Sequence, residues 1–537
     1  MKRRDFLKYS GAAITGVPFM MGNSRATALF DSPTHKLFQP LQNINENILV
    51  MIYLEGGNDG LNTVVPFEDT LYDVNRPSIG FTSPAEKKSL TFRPRPELGM
   101  NPSMNSLQPF WDEGKLAIIQ NVGNSNPDLS HFRSSDIWNS ASDPTLNIST
   151  GWTARYLEGL YPDFPSIAPE DPLAISIGYH QSAAFFGSKG LVNIRIDDPR
   201  TYLGTAEQHN KDVPNTEGGV ELAFMRSLIS LSNVYASRFS NLFPKFATST
   251  VVYPNTQIAN DLQKIAWCIG SGLKTKVYYA HLKGFDTHGA QFSKDPNVDG
   301  HAKLLKDLSE ALFAFQRDLE GLKVDQKVMT MTYSEFGRRI SGTGGVGSGT
   351  DHGTAAPQFL LGSPIAGEMY GKNPDLAHPD ANGNLVYEFE FRQTYASILQ
   401  HWFGMAPAAV ATLLNPSSTP TQFKTIFPIN GKATEQSLFR KSAYGVNPSN
   451  IPKPLRTTIS PNPCRDDASL SVSLEHESVF HVTIYDVEGR FLGDLHNSII
   501  GAGLQKIGIK MSQFLPGSYT IKMEALGGVA TQKLIKL

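Results

Sequence analysis

Residues 275–333 limit the possible folds more than any other part of the chain. An apolar run, TKVYYAHL (275–282), precedes a segment in which Leu305, Leu308, Leu312, Phe315, Leu319 and Leu322 recur every three or four residues. A second apolar run, KVMTMTY (327–333), follows it. Spacings of three and four place side chains on one face of an α-helix, and short continuous apolar runs read as buried strands. Strand, long helix and strand in that order form a crossover unit, which joins parallel strands. An α/β fold with a parallel sheet is therefore predicted.

Three further runs extend that sheet: NILVMIYL (47–54), KLAIIQNV (115–122) and PLAISIG (172–178). EFRQTYASILQHWFG (390–404) carries Tyr395, Ile398, Leu399 and Trp402 at helical spacing and reads as a packed helix. At 537 residues the chain exceeds one ordinary core, so two or more domains are expected. The character changes near residue 440, where NPSNIPKPLRTTISPNPCRDD reads as a Pro/Asn/Ser linker. Beyond it Leu470, Val472 and Leu474, then Phe480, Val482 and Ile484, alternate with polar residues, and DVEGR (486–490) reads as a hairpin turn. Period two is the mark of half-buried antiparallel strands, here a small β-sandwich.

Charge excludes some partners. Lys+Arg 48 against Asp+Glu 50, with no long basic run, gives no footprint for nucleic acid or an anionic membrane surface. Two distant cysteines, Cys268 and Cys464, exclude a disulfide framework and a cysteine-rich metal site. Each reads as a small buried hydrophobe. The first 28 residues have a basic start, a short apolar stretch broken by Gly and Pro, and small residues at Ala26-Thr27-Ala28. Arg3-Arg4-Asp5-Phe6-Leu7-Lys8 resembles the twin-arginine export signal. That resemblance implies recognition by the twin-arginine translocase, export in the folded state and cleavage after Ala28. No other run reaches membrane-spanning length, so no transmembrane segment is expected in the mature chain.

Four loops, each after or beside a predicted strand, carry groups that bind metals or activate nucleophiles. In open α/β sheets the carboxyl ends of the strands line the binding crevice, so such loops can meet. In LEGGNDGLN (54–62), glycines flank Asn58 and Asp59; the loop reads equally as a turn or as a carboxylate presented to a crevice. In NSNPDLSHFRSSDIW (124–138), Ser130 reads as a helix N-cap or as a nucleophile in the positive field of a helix start. His131 lies beside it, and Arg133 is suited to the oxygens of phosphate or sulfate. GFDTHGAQ (284–291) offers Asp286 and His288 as ligands of a divalent ion, with Gln291 beyond. His301, at the helix start, reads as structural. SEFGRR (334–339) and TDHGTA (350–355) supply Glu335, Arg338 and His352 around a Gly/Ser-rich connection. Asp59, Asp286, His288, Glu335 and His352 form a donor inventory for one or two divalent ions, and Ser130 with Arg133 would make the reaction phosphoryl or sulfuryl ester cleavage.

LEGGNDGLNTVVP, SHFRSSDIW, GFDTHGAQ, SEFGRR, TDHGTA and EFRQTYASILQHWFG occur in the order seen in the DUF1501 family, which the chain resembles over roughly residues 45–405. The resemblance implies a doubly wound, mostly parallel α/β core of the alkaline phosphatase/sulfatase superfamily. It implies that Asp59, Asp286, His288 and His352 are metal ligands and that Ser130 is the nucleophile. That superfamily has an Asp-His pair where this chain has Glu335-Phe336, and SHFRS lacks the Pro of the sulfatase nucleophile motif. ISPNPCRD, IYDVEGR, LPGSYTIKM and QKLIKL resemble the C-terminal sorting domain of the type IX secretion system of Bacteroidetes. That implies handling by the type IX machinery.

The expected organisation is a twin-arginine signal at 1–28, an alkaline-phosphatase-like α/β domain at 45–435, a linker at 436–456 and a sorting β-sandwich at 457–537. The expected protein is periplasmic, then secreted or at the cell surface. It is a hydrolase of small-molecule or polysaccharide phosphate or sulfate esters that uses zinc, manganese or calcium. The alternative is a catalytically inactive relative that binds a partner or assembles at the surface.

Overall fold

ILVMIYLE forms β1 (Ile48–Glu55) in a computed structural model of the chain, and all of its residues but the last are buried. Burial on both faces is what a central strand of a covered sheet requires. The structure describes residues 45–202, 235–242, 250–292, 300–343, 348–416, 423–426, 456–474, 478–486, 491–525 and 528–537. The twin-arginine segment, residues 436–455 of the linker and most of the DVEGR turn lie outside them. Two units emerge, one within residues 1–439 and the other within 440–537.

The first unit is built on a nine-stranded sheet. Its strands, with β1, are β2 (Leu116–Gly123), β3 (Ala174–Ile177), β4 (Asn193–Ile196), β5 (Val277–Lys283), β6 (Val328–Tyr333), β7 (Ala356–Leu361), and two-residue pieces β8 (Met369–Tyr370) and β9 (Phe389–Glu390). The order is β8-β2-β7-β6-β1-β5-β3-β4, with β9 also on β2. β6, β1, β5, β3 and β4 run parallel, as the crossover unit requires. β7 was not read from sequence, because Pro357 and Gln358 interrupt its apolar run. It is antiparallel to both β6 and β2. β2 therefore points the same way as β1, and β7 begins at the edge where the others end.

The principal helices are α1 (His131–Ser140), α2 (Trp152–Leu160), α3 (Gln257–Gly270), α4 (His301–Gly321) and α5 (Phe391–Ser397). α4 buries Leu305, Leu308, Leu312, Phe315 and Leu319, the face its periodicity marks. α5 runs on into a π-helical turn, Ile398–Trp402, and Tyr395, Ile398, Leu399 and Trp402 are buried as their spacing implies. Cys268 and Cys464 are both buried free thiols.

The second unit has seven antiparallel strands in two sheets. β10 (Arg456–Ser460), β11 (Asp467–Leu474) and β14 (Gly503–Lys510) make one; β12 (Ser478–Tyr485), β13 (Phe491–Ile500), β15 (Gly517–Ala525) and β16 (Gly528–Lys536) make the other. Leu470, Val472, Phe480, Val482, Ile484 and Ile521 join a core shared by both sheets. Among the described residues no helix is long and apolar enough to cross a membrane.

Leu308 is fully buried on α4. Leu308→Ala is expected to destabilise the first unit by about 2–5 kcal/mol through lost transfer energy and a residual cavity. A fall in urea midpoint at unchanged slope checks this.

Candidate functional site

The geometry of the sheet brings five loop segments to one edge. Those after β1, β2, β5 and β6 leave from strand carboxyl ends, and the segment before β7 arrives there because β7 is reversed. Gly56 and Gly57 turn the chain out of β1 with φ of 118° and 88°. Neither has room for a side chain: a Cβ on Gly56 would lie 2.1 Å from the Asp286 backbone nitrogen, and one on Gly57 2.6 Å from the Phe336 ring. These glycines let the β1 loop lie directly against the β5 and β6 loops.

At the meeting point stand Asp286, His288 and His352. His288 Nε2 lies 3.0 Å from Asp286 Oδ1 and 2.9 Å from His352 Nε2, and His352 Nε2 lies 3.2 Å from Asp286 Oδ1. His352 Nδ1 donates to the Leu129 carbonyl at 2.7 Å. Leu129 holds φ at 60°, a left-handed conformation that costs a bulky residue energy and tends to be kept at sites. His131 joins through Nε2, 3.4 Å from Asp286 Oδ2, while its Nδ1 lies 2.7 Å from Glu335 Oε1. Phe336 packs against the rings of both His131 and His352.

Two overlapping groups could hold a metal ion: His131, Asp286 and His352; and His288, Asp351 and His352. In each, the ligand atoms lie within 4.8 Å of one another. Ligands around a tetrahedral centre with bonds of about 2.0–2.1 Å sit roughly 3.3 Å apart, which the Asp286–His352 and Asp286–His131 separations match. His131 and Asp351 were not among the residues named as ligands from sequence. In the sequence His131 stands out only as a neighbour of Ser130, and Asp351 only as part of the TDHGTA segment. A third histidine at the start of the helix after β2 was the available signal.

Asp59 stands elsewhere. It is buried, with Oδ2 2.6 Å from Arg76 Nη1 and also accepting from Gln291 Nε2. Burial alone would raise its pKa; the Arg76 guanidinium reverses this and holds the carboxyl below its usual value. Arg76 follows by seventeen residues, a separation at which no sequence pattern signals a pair. Glu335 is fully buried and faces His131 and the Gly56 N–H, which it accepts at 2.9 Å. It is in neither of the two metal-capable groups found among the described residues.

Ser130 occupies the N-cap position of α1, but its hydroxyl caps no backbone N–H of that helix. Arg133 is engaged by backbone: its Nη2 donates to the carbonyls of Pro144 at 2.9 Å and Leu146 at 2.7 Å. Its guanidinium thus fastens the loop after α1. Arg338 is buried, with Nη2 2.6 Å from Asp286 Oδ1. Burial opposes ionisation of Asp286, yet Arg338 and then His352 draw its pKa below the usual value. The Glu335 contact raises the pKa of His131 against the opposing effect of burial. His301 is buried with Nε2 2.9 Å from Asn58 Oδ1, and burial takes its pKa down to about 4.

Two outcomes follow from this geometry. Gly56→Ala is expected to cost several kcal/mol, whereas Gly114→Ala, also at positive φ but with nothing near its Cβ, should cost only about 1 kcal/mol. Urea midpoints of the two variants test the contrast. His301 has a folded pKa near 4 against about 6.5 unfolded, so between those values the unfolded chain binds more protons. Stability should therefore fall as pH drops from 6.5, by up to about 3 kcal/mol at pH 4, and His301→Gln should flatten that segment of the profile.

Residues 274–399 match the model of a family described as a protein of unknown function, DUF1501, and residues 458–537 match that of a secretion system C-terminal sorting domain. No protein with a curated description matches the chain. Among solved structures, a protein in the alkaline phosphatase superfamily from Vibrio parahaemolyticus aligns at 8% identity and a TM-score of 0.33, covering 94% of this chain and 88% of its own. A sulfatase from Pseudoalteromonas sp. aligns at 10% identity and a TM-score of 0.30, over 87% and 84% of the two chains. Alkaline phosphatase from the Antarctic bacterium TAB5 aligns at 11% identity and a TM-score of 0.25, over 61% and 95%. The family resemblance is thus by segment: residues 274–399 are similar to DUF1501, and residues 458–537 to the C-terminal sorting domains of a secretion system.

Proposed function

We propose that the chain is a secreted, metal-dependent hydrolase of phosphate or sulfate esters with Ser130 as nucleophile. The observation that carries this reading is the convergence of Asp286, His352, His131 and His288 beside the start of α1. Ser130 lies between Leu129, whose carbonyl takes the His352 Nδ1 proton, and His131. Its hydroxyl is not spent on capping, and it stands at the N-terminus of a ten-residue helix, where oriented N–H groups favour an anion.

The donors suit a divalent cation, which supplies a Lewis acid for the ester oxygen and lowers the pKa of a nearby hydroxyl. The residues themselves do the rest. Ser130 Oγ attacks phosphorus or sulfur as its proton passes to a neighbouring base, the bond to the ester oxygen breaks, and that oxygen takes the proton back from the base and departs as the alcohol. Water then releases phosphate or sulfate and restores the serine. Twin-arginine export suits a protein that folds around a metal before crossing the membrane.

A second reading, a catalytically inactive binding or surface-assembly protein, draws on one observation. Two of the candidate carboxylates, Asp59 and Asp286, are bonded to the internal guanidinium groups of Arg76 and Arg338. Metal content of the purified full chain, followed by a screen of aryl and sugar phosphates and sulfates, separates the two. Hydrolysis of at least one ester, lost by 10³-fold or more in Ser130→Ala and with the metal lost in His352→Ala, is the expected result. Bound metal with no turnover of any ester would favour the binding protein.

A further inference from the structure

Glu335 has the donor type of a metal ligand, yet its surroundings give it another task. It has no exposure, and its Oε1 is committed within the protein. Oε1 accepts the Gly56 N–H at 2.9 Å and faces His131 Nδ1 at 2.7 Å; Oε2 lies 3.2 Å from Ser334 Oγ. A carboxylate only accepts, so the Nδ1 proton of His131 is donated to Glu335. The opposite nitrogen, Nε2, is buried without a hydrogen-bond partner and lies 3.4 Å from Asp286 Oδ2. A buried polar atom with no partner is uncommon and calls for an occupant.

His352 is built the same way. A backbone carbonyl, that of Leu129, takes its Nδ1 proton at 2.7 Å, and Nε2 is turned to Asp286 Oδ1 at 3.2 Å. Two imidazoles are thus each fixed by a partner of their own, with Nε2 aimed at opposite oxygens of one carboxylate. An acceptor on one ring nitrogen and a metal on the other is how histidine ligands are held. His288 differs: its side chain is 47% exposed, and its Nδ1 is 3.7 Å from Asp351 Oδ1, too far for a hydrogen bond.

We propose that His131, His352 and Asp286 form the cation site, that Glu335 is a positioning residue for His131 and not a ligand, and that this donor set selects zinc-like borderline ions over calcium and magnesium. The selectivity follows from the donors. Two imidazole nitrogens and one carboxylate match a catalytic zinc site with an open position, whereas calcium takes six to eight oxygens and magnesium a near-octahedral oxygen shell. The inference rests on the cation reading of the site given above and deepens it.

The test is a metal titration of the full chain after chelation. Cobalt(II) is expected to give visible absorption bands of a low-coordinate nitrogen/oxygen site. One equivalent of zinc should abolish them, and a thousand-fold excess of calcium or magnesium should leave them. Glu335→Gln, which keeps the shape, should weaken zinc binding 10–100-fold while circular dichroism shows a folded protein. If that variant does not fold, His131→Gln decides, with a loss at least as large, since the histidine is partly exposed and its removal leaves Glu335 its Gly56 bond. Failure of the native chain to bind any of the four ions would sink the hydrolase reading itself. Zinc binding unchanged in Glu335→Gln, or calcium displacing cobalt at comparable concentration, would overturn this inference alone.

Discussion

One buried guanidinium holds the site together. Arg338 donates from Nε to the Gly57 carbonyl at 2.9 Å, from Nη1 to the Thr350 carbonyl at 2.8 Å, and from Nη2 to the carbonyls of Gly56 and Phe285 and to Asp286 Oδ1. Those acceptors belong to the loops after β1 and β5 and to the segment that leads into β7. Arg338 itself follows β6, so a single side chain ties four segments of different origin. The planar fork of arginine suits this task, because its donors diverge in fixed directions. Removing such a charge would leave several buried carbonyls without their donor, while the ion pair itself, screened by solvent at the half-exposed Asp286, contributes only about 1 kcal/mol or less.

The clamp works only because the sheet delivers its partners to one edge. An all-parallel sheet would bring the start of β7 to the opposite edge, with His352 far from Asp286. Reversal of β7 brings TDHGTA back to the carboxyl ends of β1, β5 and β6. The antiparallel pair β6–β7 needs no crossover helix between its strands. Close backbone approach at Gly353, where a Cβ would lie 2.3 Å from the Arg338 carbonyl carbon, fits the same packing.

Much of this was legible in the residues. The central strands showed as apolar runs because strands buried on both faces must be apolar throughout. α4 showed because one face repeats leucine. β7 did not, since a proline and a glutamine dilute six residues into something that resembles a loop. The candidate loops were legible by composition, and Asp286, His288 and His352 do come together. What composition does not carry is pairing. Nothing in LEGGNDG announces that Arg76 will meet Asp59, and nothing in SEFGRR shows that Glu335 will reach His131 instead of solvent. Both partnerships depend on three-dimensional neighbours supplied by other loops.

The two aspartates show why the distinction matters. Asp59 and Asp286 follow β1 and β5, adjacent strands of the sheet, and each is paired with an arginine at 2.6 Å. Arg76 and Asp59 are both without exposure, so that pair is an internal structural charge, fixed further by Arg76 donating to the carbonyls of Arg339 and Ile340. Desolvation makes such a pair costly to open, and it leaves Asp59 Oδ1 buried without a hydrogen-bond partner. The Asp286 side chain is 47% exposed, and three imidazoles as well as Arg338 face it. A carboxylate there keeps enough access to solvent for an ion to reach it, while Arg338 holds it in one rotamer. Residue type and strand-end position are the same for both. Depth and company differ: Asp59 is enclosed beside Arg76, and Asp286 stands half-exposed among imidazoles.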